Sequence, residues 1–381
     1  MLCDYFDAGV CGSCTLMGQP YPTQVLAKQA RCQQVLSRAG VSVTWKDPVT
    51  GPESGFRNKA KLAIGGKRGA VTVGITDQSG HGVDLRHCGL YEPDLAQAVP
   101  AVAKLVNELK MVPYDITGRR GELKFVLLTS SPTGELMVRF VARSRADEAL
   151  LRSRLPRIRK RIPGARVVTL NVQPQHKAVL EGDQEFVLSQ ESALPFPIND
   201  VELQLHPGAF LQTNKAVAAE LYRTATRWIV GLQPREVLDL FCGVGAFALH
   251  LAAHPKLAGT HIRGVDVSQP AVRAAQAASA GSAAEFTTAD LTDPATLTEL
   301  PLSEVVVINP PRRGLGELAG WLERSARKSH VRHVLYSSCS VPSLARDLAA
   351  MPSWRVTKAR MFDMFPHTEH QEVLLLLTRK S

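Results

Sequence analysis

Apolar positions along this chain follow two different patterns, one before and one after about residue 200. In the later part, short apolar runs alternate with segments of helical spacing. The runs at 237–240, 262–266, 284–288, 304–308, 332–336, 354–361 and 371–378 read as strands. Helices fill most of the early gaps. Val217, Leu221, Ala225, Trp228 and Ile229 form the apolar side of one that Asn214 can cap and that Gly231 and Pro234 end. The last two runs are joined without a helix. The pattern predicts an α/β fold, a seven-stranded Rossmann-like sheet closing in an antiparallel hairpin.

Before residue 201 the pattern is mixed. Residues 23 to 39 have helical spacing, with Val25, Leu26, Ala30, Val35 and Leu36 on a shared side, and Cys32 inside it reads as a core residue. In Gly55-Phe-Arg-Asn-Lys-Ala-Lys-Leu62, Arg57, Lys59 and Lys61 alternate at strand spacing, which puts three cations on one face. Residues 69–76 alternate like a hairpin partner. A helix is expected at 95–110, strands at 123–129 and 136–142 around Pro132-Thr-Gly134, and further strands at 167–172 and 185–188. The chain thus divides into an N-terminal α+β domain, 1–200, and a sheet domain, 201–381.

The length of 381 residues, with 45% hydrophobic content, allows two well-filled cores. No apolar run approaches the roughly 20 residues of a membrane helix. The opening Met-Leu-Cys-Asp-Tyr-Phe-Asp lacks the basic and apolar regions of a secretory signal, so a cytoplasmic protein without membrane association is expected. Lys and Arg total 45 against 35 Asp and Glu, a net charge of +10 that favours an anionic partner, above all nucleic acid. The excess is densest at 143–161, where eight Lys or Arg face two acids. Arg152, Arg154, Arg157, Arg159, Lys160 and Arg161 lie in this run. A solvated helix face is the ordinary reason for such a run; contact with an RNA or DNA backbone is the functional one.

Seven cysteines are present, and in a reducing compartment they are not expected to form structural disulfides. Three crowd a Gly-rich segment as Cys3-x7-Cys11-x2-Cys14, and Cys88 follows in Leu85-Arg-His-Cys-Gly-Leu90. Four thiolates around a Cys-x2-Cys core fit either zinc or an iron–sulfur cluster, and the spacing does not choose between them. His87 is a rival ligand, ranked lower because four cysteines already complete a site.

Chemistry gathers in the second half. In Glu236-Val-Leu-Asp-Leu-Phe-Cys-Gly-Val-Gly-Ala-Phe247 a glycine turn links strand to helix, the opening of a nucleotide-binding sheet. Gly243 and Gly245 remove side chains where a ligand must lie against the backbone. The third glycine of a dinucleotide fingerprint is missing, and Asp266 ends the next strand, where a carboxylate can hold two ribose hydroxyls. A nucleoside-type ligand fits, S-adenosylmethionine being the commonest on such a frame. Asn309 follows the 304–308 strand in Asn309-Pro-Pro-Arg312, and Arg312 puts a cation at the substrate, suited to developing negative charge. Cys339 follows the 332–336 strand in Ser337-Ser-Cys-Ser340. A thiolate there can add to C6 of a uracil, making C5 enolate-like and able to attack a methyl sulfonium. Arg312 can stabilise the enolate oxygen, and Arg312 or the helix after Ser340 can favour the thiolate. A base must then remove the C5 proton. Pro366-His-Thr-Glu-His-Gln-Glu-Val373 offers His367, Glu369, His370 and Glu372; Glu372, which opens the last strand, is the choice.

Together with Phe210-Leu-Gln-Thr-Asn214 and His370-Gln-Glu-Val373, these motifs resemble those of the RNA uracil-C5 methyltransferases, over the whole chain. The resemblance implies an N-terminal iron–sulfur and RNA-binding domain followed by an S-adenosylmethionine-dependent methyltransferase domain. Cys3, Cys11, Cys14 and Cys88 would hold a [4Fe–4S] cluster serving RNA docking, not redox catalysis. Gln212, Phe241, Asp266 and Asn309, with the backbone at Gly243, would line the S-adenosylmethionine site. Cys339 would be the nucleophile and Glu372 the proton acceptor. Asp266 departs from the Glu common in relatives, but the shorter carboxylate can still take ribose hydroxyls. The short N-terminus without a TRAM barrel, Asn rather than Asp at 309 and the ending Phe362-Asp-Met-Phe-Pro-His-Thr368 are similar to the branch that methylates uracil 747 of 23S ribosomal RNA. The implied partner is 23S ribosomal RNA, naked or in an early assembly intermediate, with the base flipped from a loop and the enzyme a monomer. The alternatives are a tRNA or another ribosomal uracil as target, or a non-catalytic iron–sulfur RNA-binding protein. Intact Cys339 and Glu372 argue against the last.

Overall fold

The computed structural model describes residues 1–176, 179–301, 303–328 and 331–380. The chain forms two units. One comprises Met1–Gly12, Glu53–Phe196 and Leu205–Gly208; the other comprises Ser13–Pro52, Pro197–Gln204 and Ala209–Ser381. A single cut at 200/201 therefore does not describe it. The helix Tyr21–Arg38 buries Val25, Cys32 and Leu36 in one core with Leu344, Leu348 and Trp354. Its spacing reveals an apolar side but not which sheet that side covers.

The sheet of the second unit runs edge to edge as Trp45–Val49, Trp354–Phe362, Glu372–Arg379, His333–Ser338, Val305–Ile308, Glu236–Leu240, His261–Asp266 and Ala284–Thr288. Neighbours are parallel except around Glu372–Arg379, which is antiparallel to both of its neighbours. The seven expected strands are all present. An eighth, Trp45-Lys-Asp-Pro-Val49, adds in parallel at the edge, Trp45 opposite Ala359 and Val49 opposite Phe362. Lys46, Asp47 and Pro48 break any apolar pattern there, and only an edge position tolerates a proline that cannot donate to the ladder. The central strands are apolar because both faces are covered: Val237, Leu238, Leu240 and all of Val305–Ile308 are buried.

From Glu236–Leu240 the chain winds one way to His261–Asp266, while Val305–Ile308 lies on the other side. That reversal leaves a crevice at the carboxyl ends of these strands, where ligands bind in open α/β sheets. The loops beginning at Phe241 and Asn309 leave from it.

The first unit has a sheet ordered Gly82–Asp84, Ala70–Thr76, Lys59–Lys67, Leu123–Ser130, Leu136–Ala142, Ala165–Val172 and Gln184–Val187. Helix Pro93–Glu108 covers it with Leu95, Val99, Val102, Leu105 and Val106. Along Lys59–Lys67, Ala60, Leu62 and Ile64 enter this core while Lys61 is exposed, as the alternation of cations requires. The basic run forms the short helices Glu148–Ser153 and Leu155–Arg161. Six of its eight cations, Arg143, Arg145, Arg152, Arg157, Arg159 and Arg161, pair with the carboxylates of Glu122, Glu148, Glu108 or Glu191. Among the described residues no helix is long and apolar enough to cross a membrane.

Close packing behind the crevice yields a test. A Cβ at Gly264 would lie 2.3 Å from Cδ1 and 2.5 Å from Cε1 of Phe286. Gly264→Ala is expected to destabilise the chain by ~1–3 kcal/mol through overpacking, read as a lower urea-unfolding midpoint. An unchanged midpoint would mean that the Phe286 ring yields freely.

Candidate active site

The loop after Glu236–Leu240 is built on left-handed backbone. Phe241 has φ +59°, Gly243 φ +55° and Gly245 φ +80°. A phenylalanine in that region is strained and persists only where its surroundings hold it. The two glycines differ in purpose. A Cβ on Gly245 would lie 2.8 Å from Cζ of Phe286, whereas one on Gly243 would meet nothing within 4 Å. Gly245 is thus required by packing and Gly243 by its φ, with open space in front of it. Asp266 holds this loop from the next strand: its Oδ2 accepts from Gly243 N at 2.9 Å and its Oδ1 from Ser268 N at 2.8 Å. Each carboxylate oxygen keeps acceptor capacity. Open space at a glycine beside an acceptor-rich carboxylate fits a nucleoside with ribose hydroxyls.

Beneath the loop, Asp239 is fully buried. Its Oδ2 accepts from Ala248 N at 3.1 Å, and its Oδ1 has no partner. Burial pushes its carboxyl up to about 8. The sequence motif contains this aspartate but gives no hint of its protonation.

Across the crevice, Cys339 follows the His333–Ser338 strand, and Ser340 stands just before the helix Val341–Ala349, with no capping hydrogen bond from its side chain. Cys339 lines a cleft of about 150 Å³ with Arg31, Val35, Arg312, His370 and Gln371. A cavity of that volume takes up one six-membered ring. Arg312 is exposed, and its guanidinium is near enough to the thiol to pull it down. The loop behind it is pinned: Arg312 O accepts from Ser343 Oγ at 2.9 Å, and the buried Asp347 accepts from Leu315 N at 3.0 Å and Tyr336 Oη at 2.6 Å. Burial and the nearby Glu372 carboxylate push the Cys339 thiol up, and Arg312 offsets only part of this. Arginine therefore does not by itself favour the thiolate. Asn309 stands half-buried where the Val305–Ile308 strand ends.

Glu372 opens its strand opposite Phe362 and is 1% exposed. Ser337 Oγ donates to its Oε1 at 2.5 Å, and the Gln212 side chain also hydrogen-bonds it. Burial outweighs both and pushes the carboxyl up to about 7. Gln212, expected at the cofactor, thus lies against Glu372 in this structure. Ser337, two residues before Cys339, is a part of the site that sequence reasoning missed, although it stands inside the quoted motif. His370 borders the cleft, its imidazole pulled down by burial and by Arg312 and Lys28.

The cysteines of the N-terminus are less assembled. Cys3, Cys11 and Cys88 belong to the first unit and Cys14 to the second. Burial raises the Cys88 thiol, and Cys3 and Cys11 raise it further, so both sit within electrostatic reach of Cys88. His87 N donates to Tyr5 Oη at 3.2 Å, tying the two segments that carry them. No disulfide forms, and no group of three or more His, Cys, Asp or Glu reaches metal-holding geometry among the described residues. The donor chemistry of these thiols suits soft metal ligation. Cys32, by contrast, is a core residue, with its thiol pushed up to about 12 by burial.

The raised Glu372 carboxyl has a consequence for stability. The folded chain keeps this proton up to about 7, the unfolded chain only to about 4.5. The native state therefore binds more protons across that window, and stability falls as pH rises through it. Glu372→Gln removes this titration. Relative to the wild type, the variant should gain stability from about pH 5 to about pH 8, on the order of 3 kcal/mol at the upper end. Urea midpoints at the two pH values measure this; a pH-independent difference would refute the perturbed carboxyl.

This geometry can be set beside known proteins. The sequence model of the family described as tRNA (uracil-5-)-methyltransferase matches residues 174–380, more than half of the chain. The chain is 39% identical to the Escherichia coli O139:H28 (strain E24377A / ETEC) protein named 23S rRNA (uracil(747)-C(5))-methyltransferase RlmC, covering 100% of both. The same identity and coverage hold for the protein of that name from Shigella flexneri serotype 5b (strain 8401). Among solved structures it is similar to the Pyrococcus abyssi tRNA (uracil-54, C5)-methyltransferase in complex with S-adenosyl-L-homocysteine. The TM-score is 0.77 at 25% identity, over 96% of this chain and 85% of that one. A methyltransferase α/β sheet, a thiol, an arginine and a buried carboxyl at one sheet edge, and similarity along the whole length all agree: the chain belongs to the RNA uracil-C5 methyltransferase family.

Proposed function

We propose that this chain methylates C5 of a uracil in 23S ribosomal RNA, position 747 in the numbering of its relatives, using S-adenosylmethionine. The observation that carries the chemistry is the convergence of the Cys339 thiol, the Arg312 guanidinium and a buried Glu372 carboxyl pushed up to about 7. The 39% identity over the full length carries the choice of ribosomal RNA. S-adenosylmethionine supplies an electrophilic methyl group, and Phe241, Gly243, Asp266 and Asn309 are the residues that would hold it, with Gln212 between it and the base.

Cys339 loses its proton to solvent through the open cleft and its Sγ bonds to C6 of the flipped uracil. Arg312 neutralises the charge that moves onto the C4 oxygen. C5 takes the methyl group, and Glu372 then accepts the C5 proton, so that the C6–Sγ bond breaks and the thiolate leaves. The raised Glu372 carboxyl suits this order. While Glu372 is ionised it disfavours the Cys339 thiolate; once Sγ is bonded to carbon that repulsion is gone, and Glu372, giving its own proton to water, stands as the carboxylate that takes the C5 proton. A base that titrates near the operating pH is also the most effective one.

Cys3, Cys11, Cys14 and Cys88 are the proposed ligands of a [4Fe–4S] cluster that stiffens the N-terminus for RNA docking in the cytoplasm. The effect of Cys3 and Cys11 on the Cys88 thiol supports this, and Cys14 follows from the Cys-x2-Cys spacing. A second reading, a tRNA uracil as the target, is favoured by the family description and by the archaeal structure.

The test is tritium release from 23S ribosomal RNA labelled at uracil C5. Release dependent on S-adenosylmethionine is expected, and Cys339→Ala should lose it, by ~10³-fold or more, while still binding the cofactor. Normal release by that variant would refute the covalent route, and release only from tRNA would select the second reading. For the cluster, protein purified without oxygen should contain about four irons per chain and absorb broadly in the visible range; a colourless chain with one zinc would overturn it.

A further inference from the structure

The helix Tyr21–Arg38 lies outside every motif that carries the chemistry, yet one of its faces is spent on a single loop. Gln24, Lys28 and Arg31 follow one another at helical spacing and project from the same side. All three reach the segment 363–371, which joins the strand Trp354–Phe362 to Glu372. Lys28 is 3% exposed and Asp363 0%. The ammonium donates to Asp363 Oδ1 at 2.6 Å and to Phe365 O at 2.9 Å. Gln24 Oε1 accepts from His367 N at 3.0 Å, and its Nε2 donates to Leu16 O at 3.0 Å and Gln19 O at 2.8 Å. Leu16 N in turn donates to His367 O at 2.9 Å. Arg31 meets Glu369 at 2.7 Å on the surface, where such a pair contributes little.

The loop needs holding. His367 has φ +64°, a conformation that a residue with a side chain keeps only when its surroundings impose it. Both peptide groups of His367 are bonded, one to the Gln24 side chain and one to Leu16. Lys28 fixes the root of the loop at Asp363, and Gln24 fixes the turn. The loop contributes His370 and Gln371 to the cleft and then delivers Glu372 beneath it. A buried ion pair is poor value as a source of stability, since an apolar pair of similar volume commonly does as well. Its use here is geometric.

We infer that Gln24 and Lys28 are positioning residues for the Glu372 base. Through Asp363 and His367 they set the loop so that the carboxylate meets the C5 proton. The inference rests on the reading of Glu372 as that base. Misplacing the loop slows the last step, proton removal with release of Cys339, more than the earlier addition and methyl transfer. The covalent enzyme–RNA species then accumulates.

The experiment compares wild type, Gln24→Met, Lys28→Met and Lys28→Arg on C5-tritiated 23S ribosomal RNA with S-adenosylmethionine. It follows tritium release and the fraction of chain trapped on RNA after denaturation in detergent. Lys28→Met should release tritium ~10-fold more slowly, part of the 10²–10⁴-fold a general base supplies, with more trapped adduct per active chain. Gln24→Met should show the same shift more weakly, and Lys28→Arg should restore release. Adduct per turnover does not depend on how much of the chain is folded. Gln24→Met removes no buried charge, so it carries the test if Lys28→Met does not fold. Unchanged release in the variants, or release and adduct falling together, overturns the inference. Absence of release by the wild type on 23S and transfer RNA alike overturns the methylation reading and this one with it.

Discussion

A carboxyl group taken out of water must either find enough donors to stay ionised or keep its proton. Glu372 lies between these limits. Ser337 and Gln212 each supply a hydrogen bond, and burial still outweighs them, leaving a group that titrates near neutrality. In the proposed reaction, a fully solvated glutamate would be ionised permanently and would hold down the thiolate fraction of Cys339 when the thiol adds. A fully neutral one could not take a proton from carbon. The site therefore depends on a balance between one buried side chain and two neutral donors. The surrounding structure is arranged to keep that side chain buried and aimed.

The sheet provides the aim. Cys339 and Glu372 come from adjacent antiparallel strands, with Ser337 opposite Leu374 and Ser338 opposite Val373. Register alone brings the end of one strand to the start of the other. A parallel final strand would put Glu372 at the far edge of the sheet, so the antiparallel hairpin that closes the fold is a requirement of the chemistry. The crevice between Glu236–Leu240 and Val305–Ile308 then lays the glycine loop on one side and the Arg312 loop on the other. The methyl donor's proposed site and the nucleophile thus share one edge.

Much of this is legible in the residues themselves. The apolar runs of the second half mark its strands to within a residue or two, because strands covered on both faces have little freedom in composition. Asn214 caps its helix as its position suggests, accepting from Val217 N at 3.3 Å. Other features leave no local trace. The strand Trp45–Val49 is too polar to announce itself and exists because an edge was available. The Lys28–Asp363 pair joins residues 335 positions apart, and a lysine in an amphipathic helix reads as a solvated one. Whether Gln212 faces a cofactor or Glu372 depends on the path of a loop that neither period nor spacing describes. The N-terminal cysteines are the converse case: their spacing in the sequence names them as a set, and the fold adds that Cys3 and Cys11 both act on the Cys88 thiol.

The basic charge poses a separate question, because six of the arginines in the densest run already have carboxylate partners. Each of these arginines remains well exposed, and exposed pairs of this kind contribute about 0–1 kcal/mol. A phosphate can therefore replace a carboxylate at small cost, and the displaced acid remains hydrated. The net charge of +10 still attracts a polyanion at long range. Neutralised contacts of this sort favour exchange over tight, indiscriminate binding. They carry no information about which base is presented. On the proposed reading, selection of the target lies in the cleft lined by Cys339, Arg312 and Gln371.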